Sequence, residues 1–153
     1  MASIFTRIHQ GEIPGRIVYR DERAFAMLTI RPIRPGHTLV IPVREVDHWL
    51  DLEPDLLRHL GDVAQRVGRA IQAAFRPTKV GLMVAGLEVR HVHYHLVPID
   101  RIEDLDFARQ EPNPDPKALD EAAEKLRAAL GAQLPREAGP PSPLRSNGAP
   151  PRG

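Results

Sequence analysis

The chain has 153 residues, 42% of them hydrophobic, with 21 lysines and arginines against 20 acids. That suits one globular domain with a real core, and a net charge of +1 gives no field to draw the chain onto nucleic acid or an acidic membrane. The absence of cysteine excludes disulfides, thiolate metal sites and cysteine nucleophiles; with no apolar leader and no run of ~18 apolar residues, a soluble cytoplasmic protein is expected.

Taken in chain order, residues 17–20 and 24–30 are short apolar runs separated by Asp21-Glu22-Arg23, the spacing of a β-hairpin. Residues 31–36 hold Pro32, Pro35 and Gly36 and read as a loop. A third strand follows over residues 37–41, which Pro42 ends or marks as an edge. Acids and proline in residues 51–54 signal a helix start. Leu56, Leu60, Val63, Val67, Ile71 and Ala74 then recur at three and four residues, one apolar face of a helix about six turns long. Gly61 and Gly68 lie nearly on one face, either at a close approach to another element or simply tolerated. Residues 80–85 and 89–99 read as two more strands with Gly86 between them. An acidic, proline-bearing connector leads to a last helix opened by Asp115-Pro116. Its apolar face is Leu119, Ala122, Ala123, Leu126 and Leu130, and Gly131 stands where a helix often stops. Residues 133–153 are too rich in Pro, Gly and Ser to bury a core and are expected to form a disordered tail behind a domain of residues 1–132.

The chemistry concentrates in His91-Val92-His93-Tyr94-His95. On an extended backbone alternate side chains share a face, so the three imidazoles point one way and Val92, Tyr94 and Leu96 point into apolar packing. Neighbouring members of the row sit about 6.6 Å apart and the outer pair about 13 Å, so all three cannot reach one ion with metal–nitrogen bonds near ~2 Å. Two of them with His37 could chelate zinc, and metal binding stays open as an alternative. The other use is nucleophilic. A neutral imidazole with a fixed tautomer attacks phosphorus well and leaves well, and its neighbours can donate to phosphate oxygens, which makes central His93 the natural nucleophile. Glu88 serves either as a general acid or as a structural residue at the strand start. His9, His48 and His59 have no partners at informative spacing, and Arg34 and Arg44 read as solvated charges.

These residues resemble the signature of the histidine-triad (HIT) family, in which His-x-His-x-His is followed by two apolar residues. The resemblance runs from about Ser3 to Ile99. Ile4-Phe5-Thr6-Arg7-Ile8 and Gly11-Glu12-Ile13-Pro14 are similar to the family's N-terminal segment, and Pro35-Gly36-His37-Thr38-Leu39-Val40-Ile41-Pro42 to its proline-x-His-x-Leu-Val-x-Pro strand. It implies an α+β fold with an antiparallel sheet of about five strands, a long helix and a C-terminal helix, in a homodimer. It implies a purine nucleotide or nucleotide conjugate as ligand, no cofactor, and a hydrolase or nucleotidyl transferase working through a nucleotidyl-histidine on His93. In that scheme His91 contacts the leaving group or phosphate, His95 orients its neighbours and His37 completes the cluster. Ile4, Phe5 and Ile13 flank the base. Thr29 stands where relatives often carry an acid for the ribose hydroxyls, and Glu88 where they often carry Ser or Thr. The remaining alternative is a nucleotide-binding or interaction module with little catalysis.

Overall fold

The structure is a computed structural model, and it describes residues 1–133; the expected tail, Gln133 apart, lies outside the described residues. Five strands form one antiparallel sheet in the order β1-β2-β3-β5-β4. They are β1 (Ile17–Arg20), β2 (Ala24–Leu28), β3 (Thr38–Pro42), β4 (Lys79–Val84) and β5 (Tyr94–Ile99), accompanied by α1 (Ile4–His9), α2 (Pro54–Phe75) and α3 (Pro116–Gly131). The α+β class, the five strands and the two long helices are as the sequence implies.

Alternation along the strands builds two cores. Ala24, Ala26, Leu28, Val40, Tyr94 and Leu96 face α2 and α3, where they meet Leu60, Val63, Val67 and Ile71 of α2 and Leu119, Ala123 and Leu126 of α3. Each of these larger aliphatic side chains contributes roughly 1.5–3 kcal/mol by leaving water. Phe25, Met27, Leu39 and Ile41 point to the opposite face, which α1 covers with Phe5 and Ile8. The β1–β2 turn is closed by Asp21, whose carboxylate accepts the N–H groups of Arg23 and Ala24 at 2.8 Å each. Asp115 caps α3 by accepting from Lys117 N–H.

Several local expectations are corrected. β5 begins at Tyr94, so His91 and His93 lie in the irregular segment before it and only His95 stands on the strand. That segment is held by other bonds: Val92 N–H donates to Val46 C=O at 2.8 Å. β3 starts at Thr38, one residue after His37, and Pro42 closes it. Residues 4–9, left without an element by the sequence, form a helix because Ser3 caps it, accepting from Thr6 N–H at 3.2 Å. A Cβ on Gly61 would meet nothing within 4 Å, and one on Gly68 only Val80 at 3.9 Å, so neither glycine answers a close approach. Ala74 is half-buried, and α3 incorporates Gly131 and caps at Ala132 in right-handed geometry. Gly36, by contrast, is required: its φ is +96° and a Cβ there would sit 2.8 Å from the Phe75 ring. It delivers the chain to His37.

Candidate active site

The histidines gather on the sheet face away from the long helices. Leu39 is opposite His95 in the β3–β5 register, and His37 lies two residues before Leu39, so both imidazoles project to that face. His37 and His91 are fully enclosed, and His93 and His95 are each 7% exposed.

The hydrogen bonds fix every proton in the cluster. Ile33 N–H donates to His37 Nδ1 at 3.0 Å, so the His37 proton is on Nε2, which donates to His95 Nδ1 at 2.9 Å. That leaves His95 with an Nε2–H that has no partner among the described residues. His93 Nδ1 lies 2.7 Å from the His91 carbonyl, a group that only accepts; the proton is therefore on Nδ1, and Nε2 keeps its lone pair. His91 Nε2–H donates to Pro42 C=O at 2.7 Å, and its Nδ1 accepts from the Ser3 hydroxyl at 2.6 Å.

Electrostatics agree with neutral rings. Burial, reinforced by His95 and His93, pulls His37 down to about 3, and burial with His93 pulls His95 down to about 4. Burial also lowers His91, against the Pro42 carbonyl and Glu45, and lowers His93, against the His91 carbonyl and the Glu88 carboxylate. A lone pair on His93 Nε2 beside a donor on His95 is what nucleophilic attack on phosphorus requires.

The expected site residues divide. Phe5 stands edge-on to His91 and His93, with ring centroids at 5.7 and 4.9 Å. Ile13 packs half-buried against the core beneath α1, and Ile4 beside Phe5 is 45% exposed. Thr29 is buried just past β2; its N–H donates to His37 C=O and its hydroxyl accepts from Arg31 N–H at 3.2 Å. Glu88 is exposed and reaches His93 by charge alone. His91 has no exposed surface, and both of its nitrogens are engaged, by Ser3 and by Pro42.

Four groups escaped the sequence reading. Ser3, Thr6 and Glu45 tie α1 to His91: Glu45 Oε1 accepts from both Ser3 N–H and the Thr6 hydroxyl at 2.6 Å. A Ser ahead of an apolar run is a cap signal that could have located α1. Phe107, in the 3₁₀ turn Phe107–Arg109, lies edge-on to His95 at 4.9 Å and has no sequence signal in its acidic, proline-bearing connector. Arg34 is paired with Asp100 at 2.9 Å and Asp104 at 2.6 Å rather than solvated. His48 caps the turn Trp49–Asp51, His59 pairs with Asp21, and His9 stacks on Phe25. Among the described residues no group of three or more His, Cys, Asp or Glu is arranged to hold a metal ion, and no helix is long and apolar enough to cross a membrane.

A fold of this topology with a row of imidazoles on one sheet face defines a histidine-triad class of protein. Residues 10–102 match the HIT domain family model, and the chain belongs to the HIT family. A zinc-bound histidine triad family protein from Mycobacterium smegmatis superposes with a TM-score of 0.72 at 31% identity, covering 86% of this chain and 94% of its own. A hypothetical histidine triad nucleotide-binding protein from Sulfolobus tokodaii superposes at 0.74 with 26% identity, covering 83% of this chain and 91% of its own. In sequence, the Arabidopsis thaliana bifunctional bis(5'-adenosyl)-triphosphatase/adenylylsulfatase is 32% identical over 122 residues, 76% of this chain and 65% of that protein.

Proposed function

We propose that the protein is a nucleotide hydrolase or nucleotidyl transferase whose nucleophile is His93 Nε2. The observation that carries this reading is the bond from His93 Nδ1–H to the His91 carbonyl, which leaves the lone pair on Nε2. A bond forms from Nε2 to the α-phosphorus of a purine nucleotide conjugate. The bond from phosphorus to the leaving atom breaks, and the pair departs with that atom. The His95 Nε2–H supplies a hydrogen bond to the phosphoryl or leaving atom. Nε2 acquires positive character in the adduct, and the His91 carbonyl on Nδ1–H and the Glu88 carboxylate both favour that charge. Water or another acceptor then attacks phosphorus, the P–N bond breaks and His93 is restored. Ile4, Phe5 and Ile13 hold the base, and Thr29 approaches the ribose. The names of the Sulfolobus and Arabidopsis relatives support a nucleotide ligand. The reading includes a cytoplasmic homodimer; among the described residues β4 offers an unpaired sheet edge carrying Leu82, which is 52% exposed.

Intact mass after mixing with adenosine 5′-phosphoramidate is expected to show a nucleotidyl adduct on the wild-type chain and none on His93→Ala. Turnover should fall at least 10³-fold in that variant, on the order seen for lost nucleophiles. Full activity in His93→Ala would refute the assignment.

A further inference from the structure

Phe107 is the residue that the triad chemistry leaves without a role. The residue is 38% exposed, while His95 beneath it is 7% exposed. Ring contacts run in sequence: Phe5 to His93 at 4.9 Å, His93 to His95 at 4.8 Å, His95 to Phe107 at 4.9 Å. The two reactive imidazoles are thus flanked by an aromatic ring from each side, one from α1 and one from the connector after β5.

The connector is built to hold that ring still. Asp104 is 2% exposed and accepts Asp100 N–H at 2.9 Å, Arg101 N–H at 3.2 Å and Arg34 Nη1 at 2.6 Å. Leu105 fills the space over Gly81, where a Cβ would come within 2.7 Å of it. Asp106 accepts from Ala108 N–H at 2.9 Å, and Gln110 N–H closes the turn on Phe107 C=O at 3.1 Å. An exposed aromatic on a pinned turn, beside the free donor of His95, is a preformed apolar wall.

We propose that Phe107 selects the leaving group, favouring conjugates whose departing atom carries an aromatic or bulky apolar substituent. The inference rests on the function proposed above. The nucleoside takes the Phe5 end of the row. The other substituent on phosphorus passes His95, where Nε2–H bonds the departing atom and Phe107 covers the apolar group.

The test compares two adenosine 5′-phosphoramidates, one with an unsubstituted leaving nitrogen and one with an aryl group on it. Phe107→Ala should lower kcat/KM for the aryl conjugate about tenfold more than for the unsubstituted one, and Phe107→Leu should retain only part of the preference. Equal losses on both substrates, or an unchanged ratio, would overturn the proposal. A binding arm separates it from the nucleophile assignment. In a His93→Ala background, Phe107→Ala should weaken the aryl conjugate relative to AMP by about tenfold. An unchanged ratio there sinks the Phe107 role by itself. Conversely, a selective loss at Phe107 in a protein that forms no adduct on His93 sinks only the nucleophile assignment. If the alanine variant does not fold, Phe107→Leu and Phe107→Tyr carry the same comparison, with Tyr retaining the preference and Leu losing part of it.

Discussion

Acid should destabilise this fold well before its carboxylates are protonated. His37 and His95 have folded pKa values of about 3 and about 4 against an ordinary 6.5. A depressed folded value means the unfolded chain binds the proton first, so the stability present above pH 6.5 is lost as pH falls towards the folded values. Each group costs about 1.4 kcal/mol per pH unit inside that window. From pH 7 to pH 5 the two together remove about 4 kcal/mol, a large share of the 5–15 kcal/mol typical of a domain. The figure depends only on both folded values lying below pH 5, and the enclosure of both rings supports that. His9, His91 and His93 are lowered too and add in the same direction. Asp100, pulled down to about 2 by its bonds from Thr78 and Arg34, contributes its loss only at still lower pH. Urea unfolding at pH 7, 6, 5.5 and 5 should show the midpoint falling steeply with a nearly constant m-value, and unfolding at pH 5 should take up at least about two protons, those of His37 and His95. A loss below about 1 kcal/mol over this range would refute the neutral-ring account.

Two further perturbations probe the supports. Ser3→Ala removes both the cap of α1 and the donor to buried His91 Nδ1, and should cost about 2–3 kcal/mol in urea unfolding, with Ser3→Thr restoring most of it. A loss under about 0.5 kcal/mol would show that the contact holds nothing. Leu126→Ala, at a fully enclosed position between α3 and the sheet, should cost about 2–5 kcal/mol in thermal or urea unfolding while sparing kcat/KM at 25 °C.

Much of this molecule could be read before any coordinates. The 3.6-residue periodicity of Leu56, Leu60, Val63, Val67 and Ile71 announces α2, because one face of a helix must find a core. The period-two row of histidines announces a shared face, and Val92, Tyr94 and Leu96 are buried opposite it. Strand boundaries were less legible. An extended segment and a paired strand look alike in sequence, and pairing at residues 89–93 gives way to bonds that His91 Nε2–H and Val92 N–H donate to the Pro42 and Val46 carbonyls. Phe107 was invisible, since its place over His95 depends on Asp104 and Leu105 anchoring a turn that carries no periodic pattern. The partners of His91 were illegible for a similar reason. Spacing shows which way a ring points, while its partners, Ser3 and Pro42, arrive from 88 and 49 residues away.

The protons of the cluster are assigned by the main chain, and β3 lies behind both ends of it. Pro42, its last residue, holds His91 through a carbonyl; His37, the residue before it, receives the Ile33 N–H and passes its own proton to His95. Five residues of strand span about 17 Å, enough to bracket the histidine cluster on the neighbouring segment, where the His93 and His95 ring centroids are 4.8 Å apart. Pairing Leu39 with His95 keeps the two ends in step. A slip of one residue between β3 and β5 would turn His95 into the core that faces α2, and it would also part His37 Nε2 from His95 Nδ1. The hydrophobic alternation that sets this register therefore also sets the tautomers, so packing of the sheet and reactivity of His93 are specified by the same residues.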